Sequence, residues 1–185
     1  MKELLAEITK KKEKLDSYQP LPQELVKNLD DWYRVELTYT SNAIEGNTLS
    51  REETAQVVEK GITVEGKTLA EQQEAVNHAQ AFDHLKKLAN RKRADWKESD
   101  LLDLHQIILR KIDDQSAGQY RTGAVRHCPP PAGQSSRLGV PELMGKYLIW
   151  LKSDNPDHPA KIAADAHFKL VIIHPFVDGN GRTAR

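Results

Sequence analysis

Two four-residue strings do most to limit what this chain can fold into. SREE, at Ser50–Glu53, and TLAE, at Thr68–Glu71, each place a glutamate three residues after a hydroxyl. In that pattern the two side chains satisfy free amides at a helix start. The first string predicts a helix ending near Gly61, the second a long helix reaching about Asn90. Around them, residues 2 to 16 alternate charge with leucine as a charged amphipathic helix. Pro20 and Pro22 separate that helix from another running from about Gln23 to Ala43. Ser99 or Asp100 is expected to cap a helix carrying Leu101, Leu104, Ile108 and Ile112 at helical spacing, while Pro141 and Pro159 open two more. The helix from Pro159 to Ile173 is apolar on more than one face, through Ile162, Ala163, Ala166, Leu170, Val171 and Ile173, and is expected at the centre of the bundle. Only the Gly-, Pro- and Ser-rich stretch from Gly118 to Gly139, with a short β-prone run around Val125, interrupts the pattern, as an exposed loop or hairpin.

With 185 residues the chain is long enough for one continuous core. Lysine plus arginine and aspartate plus glutamate both number 27, so no global field draws the protein to nucleic acid or an anionic membrane, and any anion site has to be local. The single cysteine, Cys128, excludes an internal disulfide and fits a reducing compartment. The first fifteen residues lack the apolar core of a signal peptide and no later stretch is long enough to span a bilayer, so the expectation is a cytoplasmic protein.

The last twelve residues, HPFVDGNGRTAR, concentrate the chemistry. A short DGNG turn leads into a new helix. Free amides at a helix start, preceded by glycines that admit close approach, suit phosphate oxygens. Gly179 and Gly181 serve that approach, Asn180 can add a side-chain amide, and Arg182 and Arg185 can reach the same polyphosphate with planar forks of donors. Asp178 can offer an oxygen to magnesium, and His174 can take a proton from an attacking hydroxyl near neutral pH. Phe176 most simply anchors the loop. Singly each has an ordinary structural reading; compressed into twelve residues they point together. No Gly-rich loop ending in Lys-Ser or Lys-Thr is present, so this is not a P-loop.

The segment matches every defined position of the Fic signature HxFx(D/E)GNGRxxR, and DAHFKLVIIHP and GQYRTGAVR also resemble the Fic core, from about Tyr33 onward. The resemblance implies an all-α bundle with a short β-hairpin flap: a Fic domain over 33–185, preceded by a helical extension over 1–32. Because Fic domains continue past this motif, the chain is expected to lack its C-terminal helices. It further implies a protein adenylyltransferase using ATP and Mg²⁺. In that scheme His174 is the general base, Asp178 the metal ligand, Gly179, Asn180 and Gly181 the anion hole, and Arg182 and Arg185 the outer-phosphate contacts. The partner implied is a protein with a Tyr, Thr or Ser hydroxyl, with self-modification and homo-oligomers also open and neither membrane nor nucleic acid expected. The alternatives are a silent nucleotide-binding or docking module and a Fic enzyme of other phosphotransfer or deAMPylation activity.

TSNAIEGN, from Thr40 to Asn47, reads by itself as a helix end capped by Gly46. Beside the terminal motif it resembles the Fic inhibitory motif, here Ser41, Glu45 and Gly46, with Glu45 expected to form a bidentate pair with Arg185 where a γ-phosphate would lie. Thr122, Gly123, Ala124, Val125, Arg126 and His127 most resemble the target-docking flap, which pairs with an extended strand of the target. Tyr120 and Arg121 suit either target contact or locking that flap onto the helices. His127 and Cys128 do not make a zinc site, and His105, His158 and His167 read as helix-surface or core residues.

Overall fold

The computed structural model describes residues 1–123 and 139–185. Eight α-helices follow in order: α1 (Lys2–Asp16), α2 (Gln23–Ile44), α3 (Arg51–Lys60), α4 (Leu69–Ala89), α5 (Glu98–Leu109), α6 (Val140–Lys152), α7 (Pro159–Ile173) and α8 (Asn180–Ala184). No strand occurs among the described residues, and no described helix is long and apolar enough to cross a membrane. The expected flap residues Ala124, Val125, Arg126 and His127, and Cys128, lie outside the described residues.

Both capping boxes form as the sequence predicts. Ser50 Oγ accepts the Glu53 amide at 3.1 Å and Glu53 accepts the Ser50 amide at 2.7 Å. Thr68 and Glu71 repeat the exchange at 3.2 and 2.9 Å. Gly61 ends α3 with φ +64, the left-handed cap that glycine adopts without a steric cost. The start of α5 is displaced from expectation: the helix begins at Glu98, and Asp100 reaches back from the first turn to accept the Lys97 amide at 2.7 Å instead of capping.

The centre of the molecule is α4, with α5 and α2 both packed against it. On α4 the inward face is small or polar: Ala75, Ala79 and Ala81 allow close approach, and Asn77 donates to the Ile108 and Arg110 carbonyls at 3.0 and 2.7 Å. Such a face gives no apolar stripe to read, because its polar members are satisfied by hydrogen bonds that the sequence does not display. Ile108, Leu109 and Ala117 complete this layer, and Val140, Met144, Tyr147 and Leu170 form a second cluster. Arg34 on α2 forks onto Asp83 on α4, with Nε and Nη2 at 3.0 and 2.9 Å from its carboxylate.

The expectation for α7 needs correction. Only Leu170 of this helix is buried, while Ala163, Ala164 and Phe168 are exposed. Apolar composition on several faces signals a preference for burial; burial itself requires neighbours, and among the described elements α7 packs mainly on α6 and α8.

His78, on α4, faces this core and accepts or donates one bond with Thr38 Oγ1 at 3.1 Å. Burial, with the positive fields of Arg185 and Arg182, pushes its pKa down from 6.5 to about 4. The unfolded chain therefore takes up this proton first as pH falls, so the stability present above about pH 6.5 declines until about pH 4. Replacing His78 with Gln should remove about 3 kcal/mol of that acid-side loss, checked by urea unfolding at about pH 7 and about pH 4.

Candidate functional site

The site is built where α7 stops. His174 closes the helix in the left-handed region, φ +51, with its amide on the Leu170 carbonyl at 3.0 Å, and Pro175 then bars continuation. A non-glycine residue holds such a conformation only when its surroundings impose it. Arg121 does so: its Nε donates to the His174 carbonyl at 2.7 Å and its backbone amide to the Pro175 carbonyl at 2.9 Å. Arg121 Nη1 also donates to the Gly123 carbonyl at 2.7 Å, tying the residues that precede the expected flap to the end of α7. Thr122 and Gly123 follow, both exposed.

Phe176 is fully buried and anchors the loop as expected. Its ring lies flat on His105, centroids 3.6 Å apart at 5°. Asn180 brackets the same residue, its Oδ1 accepting the Phe176 amide and its Nδ2 donating to the Phe176 carbonyl, both at 2.9 Å. The Asn180 Oδ1 and one of its two Nδ2 hydrogens are thereby committed to the turn. Gly179 has φ +73, and a Cβ there would meet His105 Nε2 at 3.3 Å, so this glycine answers both a conformational and a spatial demand.

His105 is the residue that sequence reasoning undervalued. It is fully buried on α5. Its Nδ1 accepts the Gly118 amide at 2.9 Å, which places the ring proton on Nε2, and Nε2 donates to the Asp178 carbonyl at 3.0 Å. Burial holds its pKa below the usual histidine value, with the Asp178 carbonyl opposing. One neutral imidazole thus joins the segment leading to Gly123 with the loop carrying Asp178. A signal existed: position 105 belongs to the stripe 101, 104, 105, 108, and a polar ring at a core position must find partners.

The two arginines turn out to differ. Arg182 is buried, its side chain 4% exposed, with Nη1 donating to Glu74 at 2.9 Å and Nη2 to Asp178 at 2.8 Å. Arg185 faces α2: Nε donates to Ser41 Oγ at 2.9 Å, and Nη2 to the Ser41 carbonyl at 3.0 Å and Glu45 Oε1 at 2.6 Å. Glu45 therefore pairs through one carboxylate oxygen, not two. Ser41, one turn earlier on the same face, takes the donors that a bidentate pair would use. Gly46 follows with φ +95 and open space around it.

Among the described residues none accepts from the amides of Asn180, Gly181 or Arg182, and none hydrogen-bonds the half-buried His174 ring. Any side chain at Gly181 would collide with Glu45 Oε1. The Glu45 carboxylate therefore lies over the mouth of the turn. Asp178 is 63% exposed, with one oxygen on Arg182 and the other accepting from no described residue. His158 and His167 have structural partners, the former accepting the Ala160 amide at the start of α7 at 3.1 Å and the latter donating to the Ala184 carbonyl at 3.1 Å.

Comparison with known proteins agrees with this architecture. Residues 95–185 match the family model described as the Fic/DOC family. A protein adenylyltransferase Fic of Nematostella vectensis is 34% identical over 99% of this chain and 43% of its own length, and one of Culex quinquefasciatus is 34% identical over 96% and 35%. The chain thus spans less than half the length of these curated relatives. Among solved structures, Fic-1 (residues 134–508) of C. elegans superposes with a TM-score of 0.84 at 28% identity, covering 99% of this chain and 54% of that one. A Fic domain containing signaling protein from Bacteroides thetaiotaomicron gives a TM-score of 0.80 at 30% identity, covering 96% of this chain and 69% of that one. Sharing fold, motif and this extent of sequence with such proteins, the chain belongs to the Fic/DOC family.

Proposed function

We propose that this chain is a protein adenylyltransferase that moves AMP from ATP to a hydroxyl of a target protein and is restrained by Glu45. The observation that carries the reading is the α8 turn, where amides with no acceptor among the described residues stand between the His174 cap and an arginine held by a displaceable carboxylate. The names of its curated relatives support the same activity.

In this scheme the target oxygen attacks the α-phosphorus as His174 takes its proton. The new O–P bond forms as the bond to the β-phosphate oxygen breaks, and pyrophosphate leaves. Amides of the turn stabilise charge on the transferring phosphate, and Arg185, once free of Glu45, holds the outer phosphate. Arg182, already bound to Asp178, orients that carboxylate and adds positive charge beneath the turn. No cluster of three His, Cys, Asp or Glu residues that could hold a metal occurs among the described residues. One exposed carboxylate oxygen fits Mg²⁺, which takes one or two carboxylates and completes its shell with phosphate and water. When bound, the ion would neutralise charge on the phosphates. The segment from Thr122 to His127 would dock an extended stretch of the target.

Glu45 restrains the reaction by competition. It occupies the Arg185 donor and the space above Gly181 that an anion on the turn would take. In the full chain, Glu45→Gly should raise transfer of label from α-labelled ATP by on the order of tenfold or more, the equivalent of one charge-assisted bond. Label from the γ position alone would identify a kinase instead, and ATP binding with no transfer from either position would identify a permanently closed module. His174→Ala in the Glu45→Gly background should lower transfer by about a hundredfold or more while leaving ATP affinity within about threefold, measured by calorimetry.

A further inference from the structure

Glu74 lies on α4, distant in sequence from both motifs, yet its two carboxylate oxygens are divided between them. Oε1 accepts from Arg182 Nη1 at 2.9 Å, and Oε2 accepts from Asn47 Nδ2 at 2.9 Å. Arg182 in turn holds Asp178 at 2.8 Å. Asn47 sits two residues after Glu45, and its amide donates to the Asn42 carbonyl at 3.1 Å, closing the end of α2.

The platform beneath Glu74 is fixed. Asn77, one turn on, ties α4 to the end of α5 through the Ile108 and Arg110 carbonyls. Glu71, one turn back, accepts from the Thr48 amide at 2.9 Å, and its own carbonyl accepts from Asn47 Nδ2 at 2.9 Å. Between Asn47 and Glu45 only Gly46 intervenes, with φ +95 and open space around it among the described residues. Glu45 therefore caps α2 one residue before a permissive joint, and Asn47 beyond that joint is fastened to α4.

We infer that Glu74 is a positioning residue that couples the Glu45 restraint to the anion-binding turn, fixing Asn47 and so the end of α2 with one oxygen and Arg182, hence Asp178, with the other. This rests on the restrained-transferase reading above. Loss of the Asn47 arm lets the end of α2 drift and weakens the hold of Glu45 on Arg185. Loss of the Arg182 arm leaves a buried guanidinium, whose Nε has no partner among the described residues, to reorient and to release Asp178.

The test is a pair of double-mutant cycles on transfer from α-labelled ATP by the full chain with Mg²⁺, combining Glu45→Gly with Asn47→Ala and with Glu74→Gln. Asn47→Ala alone should raise the basal rate by about three- to tenfold and shrink the gain from Glu45→Gly by a similar factor, the non-additivity expected of sites that share one restraint. Glu74→Gln should shrink that gain as well and, in the Glu45→Gly background, also lower the rate by about tenfold, a loss that Asn47→Ala does not share. A merely structural role would lower the melting temperature of the variants and leave the Glu45→Gly gain intact. Gains equal within about twofold in all three backgrounds overturn the coupling and leave the restraint standing. No gain from Glu45→Gly in the parent chain overturns the restraint itself, and the coupling with it.

Discussion

The reversal of the chain between α7 and α8 is the constraint on which the rest depends. It must be made within a few residues, at the edge of a packed core, by backbone whose polar groups have little access to water. Each of those groups that is buried has to find a partner. Three side chains from different parts of the sequence supply them: Arg121 takes the carbonyl of His174, Asn180 takes both backbone groups of Phe176, and His105 takes the carbonyl of Asp178. Among the described residues, none accepts from the amides at the start of α8 and none bonds the imidazole of His174. They remain available because the turn is satisfied without them.

The same logic separates the two arginines. Both carry a permanent charge and both face carboxylates, but the environments differ. The Arg182 side chain is buried, so leaving it unpaired would cost several kcal/mol, and Glu74 and Asp178 are required where they are. The Arg185 and Glu45 side chains are 24% and 38% exposed, and water or another anion can substitute for either partner at a much smaller cost. A strong, buried pair holds the frame and a weaker, accessible one meets the solvent. An ion pair that is to be exchanged for phosphate has to be of the second kind.

Much of the frame was legible because helix boundaries are written locally. The Ser50 and Thr68 boxes, Gly61, Pro141 and Pro159 act within a few residues of themselves, and the helices begin and end close to where those signals lie. The terminal motif was legible for the related reason that its glycines, His174 and Pro175 dictate the turn from within. What could not be read depends on who meets whom. Nothing in the sequence shows that Asn180 brackets Phe176 through both its polar atoms. Glu45 and Arg185 were expected to meet two-on-two, and Ser41 changed the arithmetic. The apolar faces of α7 suggested a central helix, whereas α4, with alanines, Asn77 and His78 facing inward, is the one enclosed.

By itself, then, the sequence determined the helices, their ends and the composition of the turn that closes them, since these follow from forces acting between near neighbours. Only the tertiary structure decided that His105 would lie flat beneath Phe176, that Glu74 would stand between Asn47 and Arg182, and that Glu45 would rest above Gly181. Those pairings join residues from separate helices, and a hydrogen bond's worth is set by the burial and geometry that packing alone confers.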